Sequence, residues 1–181
     1  MSPPVAPAIP SIPAGWAPLP ADMTAWITTP FTFLASPAAF RGQLQGSESL
    51  SGFTLAKLDT VIEDNWGGWS ATATASQPAY SWLCPAGCDG WFDISLTAFS
   101  SNPATTTDQL QAVIYIDGSL YQQASAGWGV NGHDSGSTAA VQVPLIGGQD
   151  YVQMYIYSTA STTTPATAGQ YPAMEISWWN A

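Results

Sequence analysis

The sequence predicts an all-β sandwich or barrel, on three observations. Apolar and polar residues alternate in short runs, turn signals separate those runs, and no stretch carries a helical period. In residues 91–99, Phe92, Ile94, Leu96 and Ala98 alternate with Trp91, Asp93, Ser95 and Thr97. In 110–117, Leu110, Ala112, Ile114 and Ile116 share one face. Val141, Val143 and Leu145 make a third set, Val152, Met154 and Ile156 a fourth, and Met174, Ile176 and Trp178 a fifth. Upstream, 40–45 and 53–58 predict shorter strands. Asp117-Gly118 predicts a hairpin tip, and Gly147-Gly148-Gln149-Asp150 a turn. Ser101-Asn102-Pro103 and the stretch 158–165 read as loops, the latter Ser/Thr/Ala-rich and expected to be exposed. Asn65-Trp66-Gly67-Gly68-Trp69 reads as a turn carrying aromatics.

Composition narrows the function classes. The 181 residues hold 12 acidic and 2 basic side chains, a net charge of −10. So acidic a chain is not expected to neutralise a nucleic-acid backbone or an anionic membrane surface. Only 8% of residues are charged while 46% are hydrophobic, which excludes charge-driven disorder. No apolar run approaches the about 18 residues of a spanning helix. The N-terminus has no basic region and is broken by prolines, so a secretory signal is not expected.

The chain divides near residue 37. Eight of the 15 prolines lie in residues 1–30. Such a segment favours extended backbone without internal hydrogen bonds. It also carries Trp16, Leu19, Met23, Trp26 and Ile27, apolar side chains that a solvated tail does not need. Residues 1–37 are therefore read as a Pro-rich extended docking arm through Trp16, Leu19, Trp26 and Ile27, the alternative being a solvated flexible tail. Residues 38–181 are the β-sandwich domain.

Several segments of the body, taken in order, resemble the C1q/TNF-like jelly roll over roughly residues 38–179. Ala39-Phe40-Arg41 is similar to that family's first core strand. Leu58-Asp59-Thr60-Val61-Ile62-Glu63-Asp64-Asn65-Trp66-Gly67-Gly68-Trp69 resembles its F-D-x-V-x-x-N-x-G-x-Y segment. Trp82-Leu83-Cys84-Pro85-Ala86-Gly87 resembles F-x-x-P-x-x-G, although Cys88-Asp89-Gly90 lengthens the turn that follows. Ile114-Tyr115-Ile116-Asp117-Gly118 and Leu145-Ile146-Gly147-Gly148-Gln149-Asp150-Tyr151-Val152 are similar to the strand-plus-turn and L-x-x-G-D-x-V motifs. Met174-Glu175-Ile176-Ser177-Trp178-Trp179 resembles the last strand.

The resemblance implies a ten-stranded sandwich assembled as a homotrimer. Tyr151, Tyr155 and Tyr157 lie opposite the aliphatic face of their run, and the trimer interface is assigned to them. Packing under a loop of the same chain is the alternative. The Ala- and Pro-rich usage and the arm are similar to small structural proteins of phages of actinobacteria. By that analogy the chain is a non-enzymatic virion protein on the particle exterior, a capsid decoration or minor tail protein fixed by its arm. The alternative is a trimeric receptor-binding module for a host envelope glycan, through Trp128 with His133 nearby and the 158–172 stretch. A tail-associated hydrolase is a third class, with no acid/base pair to name.

Chemistry-bearing residues are few. His133, the single histidine, sits in Gly127-Trp128-Gly129-Val130-Asn131-Gly132-His133-Asp134 with no nucleophile signature beside it. Cys84 and Cys88 permit either a small disulfide loop or two reduced thiols. One His and two Cys are too few for a zinc site. Asp59, Glu63 and Asp64 cluster, as do Asp117 and Asp134 on neighbouring loops, yet no EF-hand spacing is present. No catalytic residue, metal or cofactor is assigned.

Overall fold

The computed structural model describes residues 36–101, 108–124, 127–128 and 135–179, with backbone alone at 127, 128 and 135. Twelve strands lie among them: β1 (Ala39–Gln43), β2 (Ser49–Leu55), β3 (Thr60–Asp64), β4 (Trp69–Ser70), β5 (Ser81–Leu83), β6 (Gly90–Ser100), β7 (Gln109–Ile116), β8 (Ser119–Gln123), β9 (Gly127–Trp128), β10 (Ser135–Leu145), β11 (Tyr151–Thr163) and β12 (Ala173–Trp179). No helix occurs among the described residues. Two antiparallel sheets form. Sheet A has the order β10-β6-β12-β1-β3. Sheet B has β4-β5-β11-β7-β8, with β2 also on β11 and β9 on β7. The result is a C1q/TNF-like jelly roll.

The alternation read from the sequence becomes the core. Along β6, burial switches residue by residue, with Phe92, Ile94, Leu96 and Ala98 at most 1% exposed. Facing them from sheet B, Val152, Met154 and Ile156 of β11 are equally buried, joined by Leu110, Ala112 and Ile114 of β7. β6 pairs without a register shift from Ser135↔Ser100 to Leu145↔Gly90 on β10, and from Ala173↔Thr97 to Trp179↔Trp91 on β12. A one-residue slip would turn its whole apolar face to water, so the alternation fixes the register. Trp82 closes one end of the core edge-on to Phe92, with ring centroids 5.7 Å apart.

Turn chemistry fits the sequence. Asp117 and Gly118 have φ of 52° and 72°, the two consecutive positive values that a two-residue hairpin loop between β7 and β8 requires. Two turns interlock at one end. Cys84 N–H donates to Asp150 O at 2.9 Å, Gly148 N–H to Cys84 O at 2.7 Å, and Gly147 N–H to the Asp89 carboxylate at 2.6 Å.

One expected loop is a strand. β11 does not stop at Ser158 but runs to Thr163, pairing with β2 at Thr162↔Leu50 and Thr163↔Ser49 across a register shift. Its threonines are β-branched and favour extended backbone. The next residue, Thr164, is 1% exposed, its hydroxyl accepting Glu48 N–H at 2.8 Å. Low complexity hid a segment whose polar atoms are consumed within the fold. The expected 53–58 strand lies earlier, at β2, and Ala56 and Leu58 are buried in the connection that follows it. Among the described residues the strands number twelve where ten were implied; β4 and β9 have two residues each.

Gly147 has no room for a side chain, because a Cβ there would lie 2.5 Å from Pro85 O and 2.9 Å from Gly87 N, both backbone atoms. Gly147→Ala is expected to cost about 2 kcal/mol by overpacking. Thermal unfolding should report it as a Tm lower by roughly 4–8 °C.

Candidate functional site

The described surface offers two sheet faces. The outer face of sheet B is uncharged and aromatic. Tyr155 and Tyr157 point outward from β11 because Val152, Met154 and Ile156 point in. Tyr155 packs on Tyr115 of β7 with centroids 4.3 Å apart, and Tyr157 on Phe53 of β2 at 4.7 Å. Phe53 is 48% exposed, while the three tyrosines are half-buried. Beside them, Gln123 donates its side-chain amide to Gln111. Burial raises the Tyr155 hydroxyl above its ordinary pKa, helped by Tyr115 and Tyr151.

The three tyrosines assigned to one interface are not equivalent. Tyr151 sits beside the β7–β8 hairpin, its hydroxyl 3.1 Å from where a Cβ of Gly118 would stand. Gln153, between Tyr151 and Tyr155, is 5% exposed and donates to Ala79 O at 3.1 Å, so the 71–80 connection covers that part of the face. Each tyrosine thus has company within its own chain, and Tyr155 and Tyr157 keep the open aromatic surface.

The outer face of sheet A carries a groove of about 570 Å³. Ser95, Ala140, Ser177 and Ala39 line its floor, and Asp93, Glu63, Glu175, Gln142 and Arg41 flank it. Arg41 is held by Glu175 at 2.9 Å, and Lys57 by Glu48 at 2.9 Å. Both basic residues of the chain are therefore ion-paired. Sequence reasoning did not find this groove. Its signal was the small residues at alternate outward positions, but they lie on four strands whose order is not sequential.

The carboxylates chiefly hold turns. Asp64 accepts the N–H of Gly68 and of Trp69, each at 3.0 Å. Asp59 accepts from Gln45 at 2.9 Å and Gly46 at 2.8 Å. Burial opposes ionisation of Asp59, but those N–H donors and the Thr60 hydroxyl outweigh it and hold the carboxyl below its ordinary pKa. Glu63 faces Arg41 across the ladder. The Asp59, Glu63 and Asp64 cluster is thus split three ways, and among the described residues no three His, Cys, Asp or Glu side chains form a ligand set.

Cys84 and Cys88 are both buried free thiols, Cys84 Sγ–H donating to Cys88 O at 3.4 Å. Burial, with the Asp89 carboxylate, pushes Cys88 up to about 11. Cys84 is pushed further by burial, by Cys88, and by Asp89 and Asp150. Neither supplies thiolate at neutral pH, so neither is a nucleophile as it stands.

The remaining assigned residues lie mostly outside the described set. Trp16, Leu19, Trp26, Ile27 and His133 are not among the described residues. Trp128 is described by its backbone, which pairs with Gln109 of β7. Gln109 N–H in turn donates to the Thr159 hydroxyl at 2.8 Å. Trp128 and the far half of β11 therefore share one end of sheet B.

No family model matches the chain, and no curated protein matches it. Solved structures share its fold. The globular domain of zebrafish complement 1qA superposes with a TM-score of 0.55 at 10% identity, over 79% of this chain and 98% of that one. Murine APRIL at pH 5.0 gives 0.53 at 10% identity, over 77% and 98%. The vertex protein P5 of phage PRD1 gives 0.56 at 15% identity, over 79% and 97%. At these identities the likeness is one of fold.

Asp117 yields a pH test. Burial raises its carboxyl above the ordinary value; Tyr151 N–H opposes the rise, and the neighbouring Asp150 carboxylate adds to it. Ionised Asp117 therefore costs the folded state stability above its folded pKa, a cost absent below about pH 4, where the carboxyl is protonated in both states. Asn keeps the acceptor for Tyr151 N–H and tolerates positive φ. Asp117→Asn is expected to stabilise by about 0.5 kcal/mol at pH 7. In denaturant titrations the gain should shrink to nothing as pH falls to about 4. A gain independent of pH would refute the charge argument.

Proposed function

We propose that the chain is a non-enzymatic virion structural protein, a homotrimer exposed on the particle exterior as a capsid decoration or minor tail protein. The observation that carries this reading is the fold shared with the vertex protein P5 of phage PRD1. The surface composition supports it. A chain with 8% charged residues and both cations paired suits contacts made by apolar and aromatic area rather than by ionic steering.

A three-fold ring needs a contact between two unlike patches. The aromatic face is one such patch, and Tyr155 and Tyr157, with Tyr151 at the rim, are proposed to meet the neighbouring subunit. The arm, residues 1–37, then holds the trimer to the particle through Trp16, Leu19, Trp26 and Ile27. Three arms on one trimer multiply a weak individual contact by effective concentration.

Light scattering on the full chain is expected to give the mass of three chains, and on Tyr155→Ser/Tyr157→Ser the mass of one with unchanged circular dichroism. A monomeric full chain would sink the assembly; a trimeric double variant would move the interface elsewhere. The purified chain is expected to add to particles that lack it, and a chain without the arm, residues 1–37, is expected not to.

A second reading is favoured by one observation, the shared position of Trp128 and Thr159 at one end of sheet B. Tryptophan and threonine are residue types that suit a sugar ring, the one by stacking and the other by hydrogen bonding. As a receptor-binding module, the chain would lose retention on host envelope polysaccharide on Trp128→Ala while keeping its solution mass.

A further inference from the structure

The groove on the outer face of sheet A exists because of where the small side chains fall. Two rows of outward residues cross the sheet there. Ala140, Ser95, Glu175, Arg41 and Glu63 stand opposite one another in the first. Gln142, Asp93, Ser177 and Ala39 do so in the second. The small residues occupy the β10–β6 end of the first row and the β12–β1 end of the second. The floor therefore runs diagonally between two walls. Asp93 and Gln142 form one, and Glu175, Arg41 and Glu63 the other.

The walls are charged unevenly. Three carboxylates face one guanidinium across the groove, a net formal charge of −2. Arg41 is held by Glu175 at 2.9 Å. Among the described residues, neither Asp93 nor Glu63 has a hydrogen-bond or ion-pair partner, whereas the other described carboxylates are each engaged within the chain. The chain cannot neutralise this groove itself. Its two basic residues are Arg41 and Lys57, and Lys57 is bound to Glu48. A second copy has the same two, and residues 1–35 contain neither lysine nor arginine. A cation that complements the groove therefore comes from a different molecule.

We propose that the groove of sheet A binds an extended basic segment of another protein, through Lys or Arg side chains that reach Asp93 and Glu63. The spacing fits extended backbone. Asp93 on β6 and Glu63 on β3 are three strand spacings apart, about 14 Å. In an extended segment, side chains about four positions apart point the same way and lie roughly 13 Å from each other. The residue midway between them faces the floor, where Ser95 and Ser177 offer hydroxyls and a small side chain fits. The groove lies on the sheet opposite the aromatic face, so this site does not depend on an assembly made through Tyr155 and Tyr157.

Fluorescence anisotropy on the full chain at low ionic strength tests it. The probe is a labelled Gly/Ser peptide carrying two lysines about four positions apart. The native chain is expected to bind it at least about tenfold more tightly than a control peptide with glutamine in place of lysine. Asp93→Asn/Glu63→Gln is expected to weaken the lysine peptide by about tenfold. Ser177→Phe keeps every charge but fills the floor, and is expected to weaken it as much. All three positions lie on the outer face of the sheet, and unchanged circular dichroism reports that the variants fold. Tyr155→Ser/Tyr157→Ser, on the other sheet, is expected to bind as the native chain does. Equal binding of the two peptides, or an undiminished affinity in either groove variant, would overturn the proposal. Saturable binding of spermine without binding of the peptide would overturn it too, because the groove would then be a site for a small polyamine.

Discussion

The inner faces of β6 and β11 are pressed against each other across the sandwich, and every other feature takes its position from that contact. Both strands are flanked on both sides, β6 by β10 and β12, β11 by β5 with β2 and by β7. Their backbone groups are consumed in ladders, and their alternate side chains leave water entirely. Burying each such Phe, Ile, Leu, Val or Met side chain contributes about 1.5–3 kcal/mol. With the inner faces committed, the outward ones follow by period two: Asp93, Ser95 and Thr97 on sheet A, Tyr155 and Tyr157 on sheet B.

Charge plays a local part in this molecule. The two ion pairs lie at the surface, where such pairs contribute at most about 1 kcal/mol. The carboxylates of Asp59, Asp64, Asp89, Asp117 and Asp150 instead accept backbone N–H groups in turns. With no helix among the described residues and few long polar side chains, many turn donors are left to satisfy, and short acidic side chains do it from within the turn. The acidity therefore reflects turn closure in good part, and no cation is required to explain it.

Among the described residues, the aromatic face of sheet B and the small-residue groove of sheet A are the surfaces open to partners. They differ in chemistry, and each suits contact with extended polypeptide or a flat partner.

The sequence by itself determined the sandwich, because period-two alternation and Asp-Gly or Gly-Gly turns are local and survive any assembly of the strands. It also carried β6, β7 and β12 nearly to their ends, the second half of β10 and the first half of β11, and the outward placement of Tyr155 and Tyr157. It did not carry β3, where Val61 and Ile62 break the alternation at a bulge, nor the extension of β11 through Thr163, where the ladder with β2 outweighs a loop-like composition. Only the tertiary structure decided that Tyr151 differs from Tyr155, that Asp59 and Asp64 serve separate turns, and that Ser95, Ala140, Ser177 and Ala39 meet in one groove. Each depends on which strands become neighbours. That order, β10-β6-β12-β1-β3, is set by long-range packing that no local pattern records.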